Sequence, residues 1–152
     1  METETYLEDH RDEIVSHAVV MLKEMALRHY QPLSLEKCSL RYKRLFFMIV
    51  KCMKKRTVMH IIDYMKNLAR ERYSAGYDLQ EVQAACNILE EVMRHYLLHM
   101  PVDLTLKVLG ENLTLMSRIF SAGKDYLSDT YIIMITENKH PDIDVTALFN
   151  GI

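Results

Sequence analysis

Apolar residues recur along this chain at the alternating three- and four-residue intervals of an α-helix. Leu7, Ile14, Ala18, Met21 and Met25, flanked by Val15 and Leu22, predict one amphipathic helix from about Tyr6 to Tyr30, ended by Pro32. Ser34 is placed to cap a second helix, with Leu33 and Cys38 at the positions of a hydrophobic staple. That helix carries the stripe Leu35, Cys38, Tyr42, Leu45, Ile49 and Cys52, and the run Leu45 to Val50 makes its middle apolar on nearly all sides. A central, much-covered helix is expected there. Its end is basic (Lys51, Lys54, Lys55, Arg56), which suits the negative end of the helix dipole.

Thr57 is the expected cap of a third helix with the stripe Val58, Ile61, Ile62, Met65, Leu68 and Ala69, which Gly76 stops as a left-handed residue. Asp78 then offers a cap with Glu81 three residues on, an acidic capping box, while Tyr77 and Val82 hold the staple positions. A fourth helix follows through Leu79, Val82, Cys86, Leu89, Met93 and Leu97, with a break and restart at Pro101 and Asp103. From about Asp103 to Thr136 two apolar stripes run side by side, one containing Leu115, Ile119 and Tyr126. Two stripes cover more than one neighbour needs. Either the first is a dimer seam or both lie inside the monomer. The pattern predicts an all-α protein: a five-helix bundle, globin-like in one form, over residues 1–136, with a long C-terminal helix and a short tail over 137–152.

Composition narrows the function classes. The 152 residues suit one domain, and 19 Lys plus Arg against 21 Asp plus Glu give a formal charge of -2. No overall basic field recruits nucleic acid or an anionic membrane. The start of the chain is acidic with no apolar stretch after it, and the three cysteines are widely spaced, so a cytoplasmic protein with reduced thiols is expected. Glu91, His95 and His99 share a helix face, but positions eight apart lie about 12 Å apart along the axis, so one ion could engage only two of them. His17 is the nearest candidate for a haem ligand, beside Ile14 and Ala18, but no histidine falls squarely on an apolar stripe and a satisfied boundary histidine is the strongly favoured reading. The cysteines fall on core stripes, where burial makes a thiol inert. No enzyme, metal or cofactor is expected. The alternative is a small-ligand or haem sensor that uses the interior lined by some of the 11 methionines.

The stretch LARERYSAGYDLQEVQAACNILEEVMRHYL, residues 68–98, resembles the signature region of the N-terminal domain of RsbT co-antagonist (RsbR/RsbRD-type) stress-signalling proteins. The matching residues are Arg72, Gly76, Asp78, Leu79, Glu81 and Val82. The resemblance implies a helical input domain, often a homodimer, that acts by contact with a signalling partner such as a kinase, phosphatase or STAS domain. It assigns Arg72, Gly76, Asp78 and Glu81 a structural role at the joint between the third and fourth helices. Arg72 is expected to bond the last carbonyls of its own helix.

Overall fold

The computed structural model describes residues 2–101 and 104–142, the last four as backbone only. Among them the protein is all-helical: α1 Glu2–Asp9, α2 Arg11–Glu24, α3 Leu35–Lys55, α4 Met59–Ser74, α5 Leu79–Leu98 and α6 Leu106–Asp142. There are six helices rather than the five expected. The first helix divides at His10, whose ring Nδ1 lies 2.8 Å from the Tyr6 carbonyl oxygen that its own backbone N–H also reaches, at 3.2 Å. A side chain competing for a helix carbonyl loosens the ladder locally. α2 also stops earlier than Pro32 alone would impose, at Glu24. Ala26 turns into the left-handed region (φ 52°), and the chain then curls so that the carbonyls of Tyr30, Gln31 and Leu33 all meet the Lys23 ammonium.

The core is a single cluster. Leu7, Ile14, Leu22, Phe46, Ile49, Met53, Ile61, Met65, Leu89, Met93, Ile119 and Phe120 are essentially inaccessible. Each large side chain buried in this way is worth about 1.5–3 kcal/mol. α4 and α5 both lie along α6, while α2 packs on α3 and α5. The long helix survives Gly123 because that residue admits α4: a Cβ there would come within 3.0 Å of Met65 Cε and 3.2 Å of Ile61 Cγ1. Glu90, 8% exposed, is paired with Arg94 at 2.8 Å and with Lys124 of α6 at 3.1 Å, so the charge buried between α5 and α6 is answered on both sides.

Ser34 caps α3 as expected, accepting from the Lys37 N–H at 3.1 Å. The expectation of a much-covered helix holds for most of the middle of α3 but not for all of it. Phe46, Ile49 and Val50 are buried, but Phe47 is 63% exposed. One flank of the helix is open, and it is basic: α3 holds seven Lys and Arg residues against the single acid Glu36. The near-zero net charge of the chain conceals this local field. α6 begins after Thr105, whose hydroxyl accepts from the Val108 N–H at 3.2 Å; the expected restart residue Asp103 lies outside the described residues. The helix passes Thr136 and continues to Asp142, so the expected tail is helical at its start. Ile143, Val145, Leu148, Phe149 and Ile152 lie outside the described residues.

Candidate functional site

α4 ends with Gly76 at φ 87°, where the Tyr77 N–H reaches back to the Arg72 carbonyl (2.9 Å) and the Gly76 N–H to the Tyr73 carbonyl (3.0 Å). This paired pattern closes a helix with a left-handed residue, and a contact between the residue after it and the one that starts the last turn usually accompanies it. Here those two residues are Tyr77 and Arg72. The contact is a guanidinium stacked on a ring, with Arg72 Cζ 5.6 Å from the Tyr77 centroid.

Tyr77 is the centre of the joint. His29 stacks on it (centroids 5.0 Å, 26° between planes) and Tyr30 meets it edge-on (5.2 Å, 89°). A second guanidinium, Arg41 of α3, also sits 5.6 Å from its centroid, and Arg41 Nη1 donates to the Tyr77 hydroxyl at 2.9 Å. On the backbone side the Tyr131 hydroxyl of α6 donates to the Tyr77 carbonyl at 2.9 Å in a buried hydrogen bond. One residue therefore ties the α2–α3 connection, α3, α4 and α6 together.

The structure brings Arg72, Gly76, Asp78 and Glu81 to this one joint, though three of them act differently from expectation. Asp78 occupies the N-cap position of α5 without a side-chain capping bond. Glu81 does not complete a capping box. Its carboxylate instead accepts from the His29 backbone N–H (2.9 Å) and lies 2.7 Å from His29 Nδ1. Burial acts to raise the Glu81 carboxyl, but the hydrogen bonds from His29 outweigh it and hold the group below its ordinary value. Arg72 does not bond its helix carbonyls. Its Nη1 meets Glu71 Oε1 at 2.7 Å, while its buried Nε has no acceptor. A buried donor left unmatched costs about 1–3 kcal/mol, and more when charged.

Arg72 lines two adjoining spaces. Inside is an apolar cavity of about 30 Å³ bounded by Tyr30, Tyr42, Leu45, Val82 and Cys86 among others. Outside is a cleft of about 240 Å³ between α3 and α4, lined by Lys37, Arg41, Arg44, Tyr64, Leu68 and Glu71 among others. Burial pushes the Tyr64 phenol and the Cys86 thiol each up to about 12, and those of Tyr30 and Tyr42 up further still, so all four are neutral in the physiological range. The cysteine belongs to the wall of the cavity.

Sequence reasoning missed Arg41, His29 and Tyr131. One signal was available for Arg72: it continues the buried series Ile61, Met65, Ala69 at helical spacing, where an apolar residue would ordinarily stand. One residue of the expected seam is also corrected. Ile119 is wholly buried by the protein's own fold, so it cannot also face a second copy. Leu115 and Tyr126 are half-buried against the core. His95 and His99 lie with ring centroids 4.2 Å apart, His99 Nδ1 is 2.8 Å from the His95 carbonyl, and among the described residues no three ligating side chains converge on a metal site. His17 is exposed, its Nδ1 3.4 Å from the Tyr96 hydroxyl. Among the described residues no helix is long and apolar enough to cross a membrane. The chain matches no family model, no curated protein and no solved structure.

Proposed function

We propose that this protein is a non-enzymatic regulatory helical domain of the RsbRD N-terminal kind, cytoplasmic, which passes a signal by protein contact through α6. The observation that carries the reading is the geometry of that helix. Tyr131 fastens it to the joint at Tyr77, and immediately beyond this point its side chains lose their cover: Ile132, Ile133 and Ile135 are 59%, 53% and 37% exposed. A projecting helix end with three isoleucines suits a second copy of the chain, or a partner such as a kinase, phosphatase or STAS domain. The dimer seam then lies at this end, displaced from Leu115, Ile119 and Tyr126. Light scattering across the low micromolar range tests it. A dimer that Ile132→Glu with Ile133→Glu converts to a monomer is expected; a strict monomer, or a dimer indifferent to both charges, removes the homodimer.

The second reading, a small-ligand sensor, is favoured by a separate observation. The cleft that Arg72 lines opens beside the same joint, so a ligand there would act on Tyr77 through Arg41 and Arg72. The two readings are compatible, with the cleft as input and α6 as output.

A further inference from the structure

The cleft between α3 and α4 carries more positive charge than the fold itself uses. Lys37, Arg41 and Arg44 line it from α3 and Arg72 from α4, and Glu71 is its only carboxylate. Arg41 has no carboxylate within ion-pair distance among the described residues; its guanidinium meets the Tyr77 hydroxyl and ring. Arg72 has a side chain only 7% exposed, an Nε with no acceptor, and as its one ionic partner Glu71, which is 70% exposed and so weakly held in place. Arg41 is held by the Tyr77 hydroxyl, but both guanidiniums stand 5.6 Å from the centroid of the same ring and repel each other, with Glu71 as the one carboxylate on the cleft wall to offset them. An anion bound between them would relieve that repulsion.

The rest of the lining defines what that anion carries. Leu40, Tyr64 and Leu68 give the cleft an apolar wall, and the small cavity behind Arg72 is bounded by apolar and neutral groups except for the two arginines themselves. A site that sets an apolar wall beside convergent charged groups orients a ligand by its head and holds part of its body. Guanidinium forks bind carboxylate and phosphate oxygens in pairs, and the low dielectric of a partly buried wall strengthens the attraction.

We propose that the α3–α4 cleft binds a small amphipathic organic anion, with its carboxylate or phosphate head between Arg41 and Arg72 and its apolar body against Leu40, Tyr64 and Leu68. The head displaces the Glu71 carboxylate and supplies the acceptor that Arg72 Nε lacks. Occupancy also draws both guanidiniums toward the ligand and away from the Tyr77 ring, which alters the joint to which α6 is fastened. This inference deepens the ligand-sensing reading, and its binding assay is independent of the oligomeric-state assay, so either can fail alone.

Isothermal titration calorimetry of the whole chain with octyl phosphate, octanoate, octanol and inorganic phosphate tests it. One octyl anion per chain is expected to bind at least tenfold more tightly than inorganic phosphate or octanol, and the ratio between the two octyl anions tells which head the site prefers. Arg41→Gln should weaken that binding at least tenfold, and Arg72→Lys likewise, since an ammonium keeps the charge but loses the fork. Glu71→Gln should tighten it, because Arg72 is then unpaired. Arg41 lies on the cleft wall, half-buried, so its variant tests the site even where a change at Arg72 disturbs folding. No binding of either octyl anion at millimolar concentration, equal affinity for inorganic phosphate or octanol, or an Arg41→Gln variant that binds like the parent would each overturn the proposal.

Discussion

Two helices in this bundle end in the same hydrogen-bond pattern and put it to different uses. At the end of α3, Arg56 is the left-handed residue (φ 53°), with its N–H bonded to the Met53 carbonyl and the Thr57 N–H bonded back to Cys52. At the end of α4, Gly76 takes that place and Tyr77 bonds back to Arg72. The first end is a surface stop. Arg56 is exposed and reaches α6 only through a 3.4 Å contact with Asn112, while Thr57 accepts from the Met59 N–H to start the next helix. At the second end Ser74, Ala75 and Gly76 are exposed as well, but Tyr77, which follows them, is buried among His29, Tyr30, Arg41, Arg72 and Tyr131. The cap motif is a way to turn the chain in both cases, and the residue that follows the left-handed position decides whether the turn is also a hub.

The largest expected contrast is between Tyr77→Ala and Thr57→Ala. Losing Tyr77 removes a buried aromatic side chain and should cost on the order of 3–5 kcal/mol, read by urea denaturation. Val58 rather than Thr57 takes the N-cap position of α4, so losing the Thr57 hydroxyl removes one local hydrogen bond, from the Met59 N–H, and should cost about 1 kcal/mol. Comparable losses at the two sites would break the distinction between hub and stop. Next come the left-handed residues themselves. Gly76→Ala should cost about 1–2 kcal/mol from backbone strain, because the nearest atom to an added Cβ, His29 Nε2, stands 3.8 Å away and offers no clash. Arg56→Gly relieves the same strain and should leave stability equal or raise it by up to about 1 kcal/mol.

A smaller effect sharpens the comparison through pH. Glu81 has a depressed folded-state value, so its interaction with His29 contributes fully above the ordinary carboxylate value of 4.5 and is lost as pH falls through the depressed value. Acid unfolding of the parent should carry that component, and Glu81→Gln should flatten the fall in stability below about pH 4.5. An unchanged acid profile would mean that His29 and Glu81 are not coupled in solution.

Helix periodicity made much of this fold legible, because burial on one side of a helix leaves a direct trace at three- and four-residue spacing. The stripes of α3, α4 and α5 lie inward as read, except for Leu35 at the start of α3, which is exposed. What periodicity could not show is where a stripe is interrupted by a local competitor, such as the His10 ring against the Tyr6 carbonyl or the Lys23 ammonium gathering three carbonyls. It also could not show how the two stripes of α6 divide: the adjacent residues Ile119 and Phe120 are both buried in one core, and exposed apolar residues collect at the two ends of the helix, Leu106 and Val108 at its start and Ile132, Ile133 and Ile135 beyond Tyr131. The joint was half legible. Gly76 reads as a left-handed cap from its type and place, but its partners come from positions 29, 41 and 131, and no local rule links those to Tyr77. Capping-box spacing pointed Glu81 at its own helix, and the tertiary partner His29 prevailed.

The central claim is that the arginine-lined cleft and the projecting end of α6 are coupled through Tyr77. Methyl NMR of Ile132, Ile133 and Ile135 during titration with octyl phosphate tests it most directly, in the parent and in Tyr131→Phe, which keeps the ring and removes only the hydroxyl bonded to the Tyr77 carbonyl. The account predicts saturable shifts at these methyls in the parent, and much smaller shifts in the variant at equal occupancy of the cleft. Occupancy that leaves the methyls unmoved in the parent, or moves them equally in both proteins, would contradict it.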